Sequence, residues 1–249
     1  MVKNGDPGLG RVRLYGKNET NLGLKMVAKK GKGTKIAVVV GAVVVVCIAV
    51  IATISLTSNE EIHVGDRWVF QIHDGFVYTL TQEVTAVEMI GGRDCYVLDA
   101  TFDPPYMGYA SDAKYWVDKT TMERIRIQMS GEYMGYPYLI GVAYTYQCPE
   151  AEPTREVGKE YTVIETTVTT ITALGETQTE NGTETYIVKI EKMEEVTVPA
   201  GTFTCLKIVE YFENGDLSRT DWYSDKAKIG VKRIIHGTGE TMELVSYSV

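Results

Sequence analysis

Histidine is scarce in this chain: there are three in 249 residues, His63, His73 and His236. None stands at a metal-ligand spacing from another histidine, a cysteine or a carboxylate, so a zinc site has no ligand set and the three read as surface residues. The nucleophile elbow G-x-S-x-G, the zincin motif H-E-x-x-H and a phosphate loop are all missing. The paired acids Glu194-Glu195, and Asp118 and Asp225 beside lysines, read as solvated turns rather than an acid and a base. No cofactor and no enzymatic activity are expected. Cysteine is nearly as rare, with four residues. Cys47 lies in an apolar run, which leaves Cys95, Cys148 and Cys205, an odd number that cannot pair completely within the chain. Cys148 precedes Pro149 and could bridge to either of the others. A sustained helical stripe is also absent, which excludes a helical bundle.

Charge is absent from residues 36–56, IAVVVGAVVVVCIAVIATISL. A helix of that length reaches about 31 Å, the thickness of a hydrocarbon core. Residues 1–35 carry a net charge of +7 and the chain beyond residue 56 carries −15. Lys29, Lys30, Lys32 and Lys35 precede the run, whereas Asn59, Glu60 and Glu61 follow it. The positive-inside tendency therefore predicts a basic disordered cytoplasmic segment (1–35), a single transmembrane helix (36–56) contacting membrane lipid, and residues 57–249 outside. Met26 would itself open a compact signal anchor. Nucleic acid is excluded as a partner of so acidic an outer region. The sequon at Asn181 lies outside in this topology and is a candidate glycosylation site.

The outer region alternates polar residues with Val, Ile, Thr and Tyr, as in WVFQI (68–72) and TCLKIVEYF (204–212). Asp74-Gly75, Gly91-Gly92, Asn181-Gly182 and Asn214-Gly215 supply hairpin turn signals. This predicts an all-β, antiparallel region. Landmarks also recur in order. VGDRW (64–68) is answered by VGKEY (157–161), a glycine turn followed by Cys95 by the turn before Cys205, and YWVDKTTMERIRI (115–127) by DWYSDKAKIGVKRII (221–235). Two similar β units are read, 57–153 and 154–249, joined at the proline-containing CPEAEPTRE (148–156). Each has room for four or five strands of usual length. Together they predict a strongly curved sheet, a partly or fully closed barrel, or two packed sheets. Within VPAGTFTCLKI (198–208), Pro199 belongs in a turn, Gly201 closes it, and Cys205 is expected to be buried in a strand.

The segments EVTVPAGTFTCLKI (195–208) and DWYSDKAKIGVKRI (221–234) resemble a motif of uncharacterised prokaryotic envelope β proteins. In those, a VPAGTF-x-C/Y-x-K-I segment precedes W-Y-S and G-x-V-K. That group is similar, more distantly, to the Lol-type lipoprotein carriers, and the resemblance implies a curved antiparallel sheet that shelters an apolar cavity.

Tyrosine and methionine gather in FDPPYMGYASDAKYW (102–116) and GEYMGYPYLIGVAYTY (131–146). Tyr106, Met107 and Tyr109 are matched by Tyr133, Met134, Tyr136 and Tyr138, a candidate ligand or partner surface of apolar rings with polar tips. The functional expectation is a non-enzymatic, membrane-anchored protein that binds a hydrophobic ligand or an envelope partner. The alternative is a structural subunit of a membrane or surface assembly, with a pilin-like variant suggested by Lys30-Gly31 or Lys32-Gly33 before the apolar run. Protease added to intact cells should digest the region after residue 56 and spare an N-terminal tag; a protected C-terminus would reverse the topology.

Overall fold

A computed structural model describes residues 61–106, 108, 110–133, 135–149 and 155–249. The expected cytoplasmic segment and transmembrane helix, 1–56, lie outside the described residues. Among the described residues no helix is long and apolar enough to cross a membrane.

Twelve strands follow one another: β1 (Arg67–His73), β2 (Val77–Ile90), β3 (Arg93–Tyr106), β4 (Ala110–Asp118), β5 (Arg124–Tyr133), β6 (Tyr136–Gln147), β7 (Glu160–Ala173), β8 (Glu176–Val198), β9 (Gly201–Phe212), β10 (Leu217–Ser224), β11 (Ile229–Ile235) and β12 (Glu240–Ser248). Each pairs antiparallel with the next, and β12 pairs with β1, which closes the barrel. Of the three architectures open to the sequence, the closed barrel is the one observed. Six strands precede the 147–160 connection and six follow it, rather than four or five, because most connections are tight turns that release residues into strands.

Up-and-down topology sorts the connections by end. The chain arrives at residues 61–66 at the proximal end, together with the turns 90–93, 118–124, 198–201 and 224–229 and with Val249. The distal end carries the hairpins 73–77, 106–110, 133–136, 173–176, 212–217 and 235–240.

The alternation in β1 shows how the sequence builds the wall. Trp68, Phe70 and Ile72 are buried, while Val69 and Gln71 between them are only half-buried, because successive side chains point to opposite faces of a strand. One apolar cluster joins these to Leu80, Tyr96, Tyr115, Ile127, Met129 and Leu244, and a second gathers Tyr161, Val188, Ile190, Leu206, Ile208 and Tyr223. Twelve strands enclose more room than the eight that side chains just fill.

One turn signal lands elsewhere than expected. Asn181-Gly182 sits inside the 23-residue β8, and the turn is made by Leu174 and Gly175, with φ of 57° and 78°. Positive φ is unusual for leucine, so this residue does not announce a turn. As a result β8 outruns β9. Its pairing with β7 reaches Ala173↔Glu176, but its pairing with β9 stops at Tyr186↔Phe212. On the β9 side, residues 176–185, including the exposed Asn181, have no strand partner among the described residues.

VPAGTF makes the β8–β9 turn, with Val198 paired to Gly201 and Ala200 N–H donating to Leu244 O at 3.0 Å. Cys205 is fully buried, and desolvation pushes its thiol up to about 12. Cys95, Cys148 and Cys205 are free thiols.

Local geometry recurs between the halves. Cys95 on β3 lies opposite Glu88, and Cys205 on β9 lies opposite Glu194. Trp116 Nε1 donates to Glu88 Oε2 at 2.9 Å, and Trp222 Nε1 donates to Glu194 Oε1 at 2.7 Å. Each indole lies under a cation of the next strand, Arg126 at 5.1 Å and Lys232 at 6.0 Å. Gly65 N–H donates to Val84 O, and Gly158 N–H donates to Ile190 O.

The β10–β11 turn plugs the proximal end beside β1. Trp68 Nε1 donates to Ala227 O at 2.7 Å. Lys228 Nζ donates to Glu61 O at 2.7 Å and meets Asp66 Oδ2 at 3.3 Å, with both ionic side chains buried. Removing one partner of a buried pair strands the other charge, typically at a cost of about 3–5 kcal/mol. Asp66→Asn should therefore destabilise by that order in urea melts, and adding Lys228→Met should recover much of the loss. An Asp66→Asn midpoint equal to wild type would show that the plug does not depend on the pair.

Candidate functional site: the barrel interior

The interior has three regions. The first is an apolar chamber of about 60 Å³ behind β1–β4, walled by Ile62, Trp68, Phe70, Leu98, Met122 and Met242, with Gln82, Arg124, Lys228 and Arg233 at its polar margin. It sits where the inward faces of β1 and β3 are almost wholly apolar.

The second region is ionic. Leu217 to Ser224 reads LSRTDWYS, and alternation turns Arg219, Asp221 and Tyr223 to one side of β10. Arg219 Nη2 donates to Glu210 Oε2 at 2.6 Å, and its Nε lies 2.8 Å from Asp221 Oδ2. Arg233 Nε donates to Asp221 Oδ1 at 2.5 Å, so one carboxylate is shared by two guanidinium groups. Ser218 Oγ donates to the other oxygen of Glu210 at 3.0 Å. All four ionic side chains are buried. Arg124, also buried, stacks its guanidinium 4.0 Å from the Tyr144 ring centre. Burial raises the carboxyl of Glu165 above its ordinary range, while Arg124 and Arg219 oppose the shift. Burial likewise raises the Tyr146 hydroxyl, which is hydrogen-bonded to Glu165. Burial also depresses Arg233. Buried charges of this kind persist only when matched and hydrogen-bonded. Their carboxylates are occupied by arginines.

The third region is a cavity of about 490 Å³ that opens to solvent at the proximal end, where Met193, Thr202, Thr204, Asp225 and Lys226 are exposed. Met193, Phe203, Leu206 and Tyr223 form its apolar wall, while Arg155, Ser224, Asp225 and Lys226 form the polar one. Tyr223 also lines the chamber, so the two spaces share this residue.

The aromatic residues picked out by sequence divide. Tyr106 is fully buried and Tyr138 nearly so, which removes both as surface contacts. Tyr106 donates its hydroxyl to Glu240 Oε2 at 2.6 Å and packs edge-on against Tyr78 at 5.0 Å. A buried carboxylate on β12 thus draws the ring inward, and nothing in the local sequence announces it. Tyr138 falls on the inward register of β6, alongside Ile140, Val142 and Tyr144. Tyr136 is exposed at the distal end. Met107, Tyr109, Met134 and the Tyr133 side chain lie outside the described residues. Among the histidines, His63 and His73 are exposed, and His236 Nε2 shares a 2.9 Å hydrogen bond with Thr220 Oγ1. Sequence reasoning missed Arg155, Arg219, Asp221, Arg233 and Glu240. The R-x-D-x-Y alternation on β10 was the available signal for two of them.

Burial raises Glu240 from 4.5 to about 7, with the Tyr106 hydrogen bond opposing the shift and the Asp74 charge adding to it. The native state therefore holds a proton that the unfolded chain releases between about pH 4.5 and 7, and stability falls as pH rises through that window. Glu240→Gln should flatten this dependence and stabilise the protein at pH 8, by at most about 3 kcal/mol. Urea melts at pH 5 and 8 measure it; identical pH slopes for the variant and wild type would refute it.

No family model matches the chain, and no curated protein matches it. Two solved structures align with it, each at 13% identity. A "putative lipoprotein" from Parabacteroides distasonis aligns over 78% of this chain and 100% of its own, with a TM-score of 0.33. A "putative exported protein with YmcC-like fold" from Bacteroides fragilis aligns over 79% of this chain and 100% of its own, with a TM-score of 0.30. At these TM-scores the likeness carries no conclusion about this chain.

Proposed function

We propose that the chain is a single-pass, membrane-anchored protein whose barrel lies outside the cytoplasm and binds an apolar ligand in its interior. The observation that carries this reading is the 490 Å³ cavity, which shares Tyr223 with the apolar chamber. Its volume falls in the range of small-molecule sites, and its wall combines apolar side chains with a few polar groups, as such sites do. The charge asymmetry about residues 36–56 supports the anchor and the topology. Binding rather than catalysis is favoured because the carboxylates Glu210 and Asp221 are committed to arginines. The recurring Glu–Cys–Trp–cation geometry supports descent of both halves from one duplicated unit, and the VPAGTF motif supports kinship with the prokaryotic envelope β proteins that it resembles.

A second reading, a subunit of a surface assembly, is favoured by the distal end. Exposed apolar side chains concentrate there on several hairpins, including Phe76, Tyr136, Leu174, Phe212 and Leu217.

Octanamide, apolar-tailed and uncharged, tests the ligand reading. Titrated calorimetrically into the full chain in nanodiscs, against empty nanodiscs, it should bind at one site. Leu206→Trp, which adds volume in the cavity wall, should weaken that binding at least about ten-fold. No heat above the empty-disc control would overturn the reading.

A further inference from the structure

Two side chains at the proximal cavity carry hydrogen-bonding groups that find no partner among the described residues. Arg155 commits Nη1 to Asp225 Oδ1 at 2.7 Å and lies 4.0 Å from the Tyr223 ring centre. Its Nε and Nη2 are shielded from solvent and have no hydrogen-bond partner among the described residues. Together these two atoms form one edge of the guanidinium fork, the arrangement that grips a carboxylate by two parallel N–H···O bonds. Ser224 is 1% exposed, and its Oγ is likewise without a partner. Both residues line the same cavity, with Lys226 beside them and Met193, Phe203 and Leu206 on the apolar wall. Buried donors left unmade cost free energy, and native proteins leave few of them.

We infer that the proximal cavity binds an apolar carboxylic acid. Its carboxylate takes the Nε–Nη2 edge of Arg155 and the Ser224 hydroxyl, and its tail lies on Met193, Phe203 and Leu206. Charge selects a monoanion: Arg155 and Lys226 supply two positive charges and Asp225 offsets one, so a single negative charge completes the balance. The fork grips carboxylate and phosphate alike, so charge decides between them: a phosphate dianion would overload this singly charged site, and a carboxylate would not. The inference rests on the reading that the interior accepts an apolar ligand, and adds the acid head group to it.

The test compares octanoate with octanamide on the full chain in nanodiscs, by calorimetry at pH 7.5. Octanoate should bind at least about ten-fold tighter than octanamide, since hydrogen bonds to a charged partner exceed neutral ones by that order. Arg155→Gln should erase the preference, with octanoate losing at least about ten-fold more affinity than octanamide. Arg155→Lys keeps the charge but loses the fork, and should lose most of the preference. Ser224→Ala should weaken octanoate more than octanamide. The two lysine and alanine variants carry the test if Arg155→Gln fails to fold. Equal affinity for acid and amide in the wild type, or an unchanged preference in Arg155→Lys and Ser224→Ala, overturns the acid site while leaving the apolar reading standing. Absence of octanamide binding strikes the apolar reading instead. Octyl phosphate binding more tightly than octanoate would overturn the choice of a carboxylate.

Discussion

The structure depends on the pairing of β1 with β12, from Arg67↔Ser248 to His73↔Thr241. Every other ladder joins neighbours in sequence across a short or moderate connection. This one joins the two ends of the described chain and brings Trp68 beside Tyr247 and Phe70 beside Leu244. Without it the sheet would present two open edges, each a template for wrong pairing. It also costs the most to form, because closing a loop of such length is the largest entropic debt in the fold. The proximal plug reinforces it: Trp68 of β1 is tied to Ala227, and Asp66 to Lys228, from the opposite end of the chain.

Closure leaves an interior too wide for side chains of one kind. The first half fills it with rings and aliphatic groups, and the second adds paired charges around Asp221 to its own apolar cluster. A charge network at that position fixes β9, β10 and β11 against one another through directional bonds rather than packing volume. Where neither kind of filling suffices, the chamber remains, and Tyr223 lines both it and the open proximal cavity.

Strand class was legible because alternation is written residue by residue, as Trp68, Phe70 and Ile72 show. The VPAGTF turn was legible because Pro199 cannot donate to a ladder. The β7–β8 turn was not, since Leu174 adopts a conformation usually left to glycine or asparagine while Asn181-Gly182, a stronger signal, lies in a straight strand. Closure was illegible because no local pattern encodes a partner some 180 residues away. The candidate site was legible least of all. Arg219 and Asp221 look like solvent-facing charges until Glu210 and Arg233 are seen opposite them, and the expected tyrosine surface lost Tyr106 to Glu240.

An even number of strands returns the chain to the end where it began, so residues 61–66 and Val249 share the proximal face with the larger cavity. Only residues 57–66 lie between the apolar run and β1, a tether of at most about 35 Å when fully extended. With the run in a bilayer, the opening that holds Arg155 and Lys226 hovers within reach of the lipid headgroups. On the function proposed above, a sparingly soluble molecule leaving the membrane would then meet the barrel before it met bulk water, and the anchor would act as an address that sets where the cargo is collected.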